Sequence, residues 1–203
     1  YILYYMSKSK LSKEISQNLV LTRRIEDFLI SKNYLISEYD NRKINLKILC
    51  GDAVSETIGD MLYEDDGTIK YMITNYKGEV MTILVGYLED DCIEDIYRCK
   101  DSRMKDMNGG EILLCYVLLK YNTIDKNIKS IKGGVAGAIP PIKKSDSASV
   151  IKQKKDRLIK YHVDRNAILE NVNGNIMFTY TLSNVITNIK KILRNKNALT
   201  PSK

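Results

Sequence analysis

From Leu11 to Ile30 the apolar residues Leu11, Ile15, Leu19, Leu21, Ile25, Phe28 and Leu29 recur mostly three or four positions apart, which predicts an N-terminal helix. Ile44 to Cys50 (INLKILC) alternates apolar and polar and predicts a strand. Asp52 to Tyr63 places Val54, Ile58, Met61 and Leu62 on one face, behind Asp52 and Ser55 as candidate caps, and predicts a short helix. Two β-rich runs between Thr68 and Glu89 flank Tyr76-Lys77-Gly78-Glu79, a hairpin whose glycine can take the positive φ of a tight turn. A third strand, Cys92 to Cys99, follows the acidic turn Glu89-Asp90-Asp91. Glu111 to Asn122 leaves so little polar surface that its helix must be buried against a sheet. Ile128 to Ile142 reads as a strand interrupted by small residues and stopped by Pro140-Pro141. Lys143 to Lys155 reads as a polar loop, Asp156 to Tyr161 as the start of a helix, Asn175 to Leu182 as a last strand and Val185 to Arg194 as an amphipathic helix. This order predicts an α/β protein with an antiparallel first half and no internal repeat.

Composition narrows the classes. The chain has 203 residues, 44% of them hydrophobic and 28% charged, enough for a core of its own. No apolar run reaches the roughly 18 residues that span a bilayer. The opening YILYYMSKSK lacks the pattern of a secretory signal, so an intracellular, cytoplasmic protein without a membrane partner is expected. Cys50, Cys92, Cys99 and Cys115 form no CxxC pair and His162 is the only histidine, so no metal site is expected and the cysteines read as reduced, buried thiols. The net charge of +7 is concentrated, with eight Lys/Arg against three Asp from Ile142 to Arg165 and five against none from Val185 to Lys203. Such segments attract phosphates, or are simply solvated.

The candidate chemistry sits in Asn108-Gly109-Gly110, directly before the buried helix. The first N–H groups of a helix lack internal partners and carry partial positive charge. Glycines let an anion approach them, and Asn108 tolerates left-handed backbone. The plainer reading is a turn that needs room to reverse.

The order of elements and the words "IEDIYRCKD…KDMNGGEILLCYVLLKY" resemble the GCN5-related N-acetyltransferase (GNAT) family. That family has, after its fourth strand, a loop of pattern Arg/Gln-x-x-Gly-x-Gly/Ala for the pyrophosphate of acetyl-CoA; Lys105, Asn108 and Gly110 match it, with Gly109 between them and Glu111 opening the helix. Lys replaces the usual Arg or Gln, Asn replaces a glycine, and a loop about two residues longer offers Arg103 as an alternative basic residue. The hairpin resembles the family's second and third strands, "RLIKYHVDRNAI" its "LYEKxGF" segment with Arg165 where the glycine stands, and "GNIMFTYTL" its last strand. The resemblance spans roughly Ile44 to Leu182. It implies a GNAT-like mixed sheet over 44–183, preceded by a helical extension (1–43) and followed by a basic helix and tail (184–203).

The activity implied is acetyl transfer from acetyl-CoA to an amine of a protein or small molecule. By resemblance, the backbone of Tyr97, Arg98 and Cys99 holds the pantetheine arm. A base must accept the amine's proton and an acid must protonate the departing thiolate. Glu94, rather than Asp95, is the candidate base, and Tyr161 the candidate acid; the plain alternatives are a surface carboxylate and a packed aromatic. Cys99 with His162 carries no dyad signature, which argues against a cysteine hydrolase. Two other classes remain: a catalytically silent GNAT-like module whose basic segments bind nucleic acid or an acidic protein, and an assembly protein whose terminal helices pack on another copy.

Overall fold

The structure is a computed structural model, and it describes residues 2–50, 52–64, 67–134 and 145–197. Helix α1 (Ile2–Ser31) leads into strand β1 (Tyr34–Glu38), then α2 (Leu46–Cys50) and α3 (Asp52–Tyr63). Strands β2 (Thr68–Asn75), β3 (Val80–Leu88) and β4 (Cys92–Lys100) follow, then a short 3-10 helix (Ser102–Met107) and α4 (Gly109–Ile124). The chain continues through β5 (Ser130–Gly134), α5 (Ala148–Val163), β6 (Ile168–Val172), β7 (Asn175–Thr181) and α6 (Leu182–Asn197). The seven strands form one sheet in the order β1-β2-β3-β4-β5-β7-β6. Every neighbouring pair is antiparallel except β4 with β5, which run parallel.

Each face of the sheet has its own helices. On one face α4 lies against the strands, buried at Gly109 to Leu119 without a break. Leu21, Ile25 and Leu29 of α1 and Val185, Ile189 and Leu193 of α6 join it in a single cluster with Tyr71, Leu84 and Ile96 of the sheet. Asn18 of α1 donates to Asn122 of α4 at 2.8 Å, and Asn122 donates to the Ile128 carbonyl at 2.7 Å, so a buried polar chain fixes the register of the two helices. On the other face Leu49, Ile58, Met61 and Leu62 of α2 and α3 pack on Ile83, Val85 and Cys99. Among the described residues no helix is long and apolar enough to cross a membrane.

The hairpin, the third strand, the buried helix, the last strand and the C-terminal helix form where the pattern places them. Ile44 to Cys50 is not a strand: Asn45 accepts the Ile48 N–H through Oδ1 and the Leu49 N–H through its carbonyl, capping a single helical turn that buries Leu49. The polar stretch before Asp156 is also helical, because α5 begins at Ala148 with the Ser147 hydroxyl accepting the Val150 N–H. Of Ile128 to Ile142, only Ser130–Gly134 is a described strand; 135–144 and the tail 198–203 lie outside the described residues. Strands β1 and β6 carry no clean alternation, and both lie at the edges of the sheet, where one neighbour supplies the whole pairing.

The four cysteines are not all reduced. Cys50 and Cys99 form a disulfide that ties α2 to β4 across 49 positions of sequence, whereas Cys92 and Cys115 are free and buried. Thiol titration of the unfolded, unreduced protein is therefore expected to count two thiols, and reduction to cost roughly 2–4 kcal/mol of stability through the released loop. Four titratable thiols before reduction would contradict the bridge.

Candidate functional site

Strand β4 carries one residue more than its partner. Val85 lies opposite Tyr97 and Tyr87 opposite Glu94, so two steps on β3 answer three on β4. The bulge re-aims the strand beyond it. Glycine is needed opposite: a Cβ on Gly86 would sit 2.7 Å from Ile96 Cγ2 and 3.0 Å from the Glu94 carbonyl oxygen. After the bulge, Ile96 joins the core beneath α4, and Arg98 lies against the first turn of that helix. Tyr97 and Cys99 pack on the α2–α3 side. Strand β4 pairs in register with β5 only at Cys92–Ser130 and Ile93–Ile131. Gly133 still meets Ile96, its Cβ position lying 3.2 Å from the Ile96 carbonyl oxygen. Beyond that level, Tyr97 to Lys100 pair with β3 and have no strand partner on the β5 side among the described residues.

The Asn-Gly-Gly turn stands beside this segment of β4, with Gly110 against Arg98. Asn108 takes the left-handed conformation (φ 55°) at the N-terminus of α4, and its carbonyl accepts from both Glu111 and Ile112 N–H groups at 2.9 Å. The glycines serve packing. A Cβ on Gly109 would come within 2.6 Å of Met104 Cε and 3.0 Å of Thr82 Oγ1, and one on Gly110 within 3.2 Å of Arg98 Cδ. Met104 of the 3-10 helix and Arg98 of β4 thus press against the first turn where side chains would otherwise stand.

Glu111, at the third helical position, is 1% exposed and gathers the site around its carboxylate. Asn188 of α6 donates to Oε1 at 3.1 Å, and the Tyr161 hydroxyl of α5 donates to Oε2 at 3.3 Å. Arg98 and Arg165 reach the same Oε2 at 3.6 and 3.5 Å. The Arg165 guanidinium lies 3.7 Å from the Tyr161 ring centroid and that of Arg98 5.5 Å, so two cations share one aromatic ring. Burial holds the Tyr161 phenol above its ordinary range, against the pull of the arginines, so it is a proton donor at neutral pH. Next to it, His162 stacks on Phe178 at 4.2 Å and meets the Tyr180 hydroxyl through Nδ1 at 3.0 Å. Burial, with Arg98 and Arg165 nearby, pushes its pKa down to about 3, so it stays neutral.

Of the residues singled out in the sequence, Tyr161, Arg98, Gly110 and Glu111 come together here, with Gly109 and Asn108 in the adjoining turn. Lys105 lies in the 3-10 helix before that turn. Arg103 turns elsewhere, bound to Asp101 and, at 3.1 Å, to Glu79 of the hairpin end. Glu94 receives Lys132 of β5 at 3.0 Å and the Cys92 thiol at 3.2 Å; the hydrogen bond from Lys132 leads in holding its carboxyl below the usual range, so it is ionised. Cys99 has its sulfur in the bridge to Cys50, and burial pushes the Cys92 thiol up to about 12, so neither is a nucleophile. Among the described residues no group of acidic, histidine or cysteine side chains could hold a metal ion. Asn188 and Tyr180 are the partners that the sequence did not single out; they lie on elements read only as a core helix and a core strand.

No protein-family model matches the chain, and no curated protein matches it. Among solved structures, a chain of the KacTA–DNA complex covers 78% of this chain and 99% of its own at 8% identity, with a TM-score of 0.52. An aminoglycoside 6'-N-acetyltransferase complexed with coenzyme A covers 73% of this chain and 97% of its own at 14% identity, with a TM-score of 0.49. The ribosomal-protein-S18-alanine N-acetyltransferase from Escherichia coli covers 73% and 94% at 9% identity, with a TM-score of 0.47. At such identities these are likenesses of fold. The mixed sheet with its antiparallel first half agrees with the fold that the sequence resemblance implies: the protein has a GNAT-like α/β fold.

The Glu111 carboxylate holds two cations in a place largely closed to water, so Glu111→Ala leaves like charges facing each other and should cost about 3–5 kcal/mol in urea unfolding. A loss below about 1 kcal/mol would show that the carboxylate does not organise this cluster.

Proposed function

We propose that the protein is a divergent member of the GCN5-related N-acetyltransferase family, transferring an acetyl group from acetyl-CoA to an amine. The observation that carries this reading is the convergence of a stretch of β4 backbone with no strand partner on the β5 side among the described residues, a protonated phenol and two arginines. The residues present fit an anionic thioester. The main chain of Tyr97, Arg98 and Cys99, without a strand partner on the β5 side among the described residues, offers hydrogen bonds to an extended amide-bearing arm. The first turn of α4 directs its dipole toward the same place, while Met104 and Arg98 fill the space beside Gly109 and Gly110. Tyr161 holds the proton that a leaving thiolate takes up, with Arg165 and Arg98 keeping its ring in place. Glu94, ionised beside Lys132, is the carboxylate proposed to take the proton from the acceptor amine.

A second reading draws on a different surface. Helix α5 exposes Lys152, Lys155, Arg157 and Lys160, and the solved chain with the TM-score of 0.52 lies in a complex with DNA. A GNAT-like module without catalysis would use this face on nucleic acid.

A thermal melt separates the two. Acetyl-CoA at about 100 times its Kd adds roughly 2.7 kcal/mol to the native state, which should raise Tm by about 5–10 °C in a chain of this size. Tyr161→Phe should keep that shift and lower kcat by about a hundredfold or more. An unmoved Tm at saturating acetyl-CoA, together with duplex-DNA binding that falls steeply between 50 and 200 mM salt, would replace acyl transfer by the second reading.

A further inference from the structure

The cluster around Tyr161 holds more positive charge than it answers. Arg98 and Arg165 both make their ion pairs with one oxygen, Glu111 Oε2, at 3.6 and 3.5 Å, longer than a charge-assisted hydrogen bond. Glu111 Oε1 is taken by Asn188. The two guanidiniums bring roughly ten N–H donors. Among the described residues they make two hydrogen bonds, both from Nη1 to a carbonyl at 3.1 Å: Arg98 to Gly110 and Arg165 to Tyr161. Their side chains are only 14% and 26% exposed. The N-terminus of α4 adds partial positive charge at the same place. One carboxylate against two arginines and a helix N-terminus leaves about one charge uncompensated where water is scarce, and such a charge is costly unless an anion meets it.

We infer that the site recognises a carboxylate carried close to the transferred carbonyl, seated on the guanidiniums of Arg98 and Arg165. The inference rests on the acyl-transfer reading, because it is that reading which puts the reacting thioester beside the Tyr161 hydroxyl. The two guanidiniums lie 5.5 and 3.7 Å from the Tyr161 ring centroid, so they neighbour the reacting end. An acyl group ending in a carboxylate, of the malonyl or succinyl kind, places its negative charge two or three bonds beyond the carbonyl. An acceptor with a carboxylate beside its amine, as in an amino acid, does the same from the other side of the new bond. In both cases the planar fork of an arginine meets a carboxylate two-on-two, which a neutral acyl chain or simple amine cannot offer.

Titration calorimetry with CoA, acetyl-CoA and succinyl-CoA tests the donor arm on the intact protein. Succinyl-CoA is expected to bind at least tenfold more tightly than acetyl-CoA, and Arg165→Gln to bring the two within about threefold. The acceptor arm compares glycine with methylamine in the presence of acetyl-CoA, expecting at least tenfold higher kcat/KM for glycine. A preference in either arm supports the inference and names the carrier of the carboxylate. Acetyl-CoA binding with no preference in either arm overturns the inference and leaves acyl transfer standing. Failure of every CoA species to bind overturns both. Since the ligand comparisons use the unaltered protein, a misfolded Arg165→Gln chain would not obscure the outcome.

Discussion

The Glu111 carboxylate, at the third position of α4, is the contact through which separate parts of the fold are joined. It draws Arg98 from β4, Tyr161 from α5, Arg165 from the turn after α5 and Asn188 from α6. A buried acid is tolerable only when its oxygens are answered, and four elements answer this one. Position follows from chain geometry. Asn108 in the left-handed conformation starts the helix, the bulge in β4 turns Arg98 toward it, and Gly110 lets the arginine pass within van der Waals distance of the backbone.

The glycines before α4 show how one pattern admits two physical uses. A glycine before a helix suits an anion seat, because a missing Cβ exposes amides. Here the missing Cβ makes room for protein atoms, Met104 against Gly109 and Arg98 against Gly110. Both demands select glycine, so the residue type alone could not separate them. Positive charge beside this turn comes also from the side chains of Arg98 and Arg165, and Arg165 stands where the resembling family segment has glycine.

Much of the fold was legible because burial dictates pattern. The hairpin over Thr68 to Glu89 is two β-rich runs around a glycine turn, and α4 is apolar from Ile112 to Leu119 because that stretch is buried without a break. What escaped was decided by local capping or by edge position. Ile44 to Cys50 alternates like a strand, yet Asn45 caps it into a turn of helix. Helix α5 is mostly solvated, with Lys154 and His162 its only buried residues among those described, so no apolar stripe announces its first two turns. The bridge between Cys50 and Cys99 depends on α2 lying over β4, which no sequence spacing encodes. At the site, Tyr161 was legible from its segment, whereas its company of Arg98, Arg165 and Asn188 arises only when β4, α5 and α6 converge on Glu111.

The central claim is that this convergence is the reacting end of an acyl-CoA site, and a crystal structure of the protein grown with acetyl-CoA tests it most directly. The account predicts the pantetheine arm alongside Tyr97 to Cys99 on the side of β4 facing β5, with the thioester sulfur within hydrogen-bonding reach of the Tyr161 hydroxyl. Acetyl-CoA seated elsewhere, with Arg98 and Arg165 unmoved and β4 and β5 closed against it, would contradict the account.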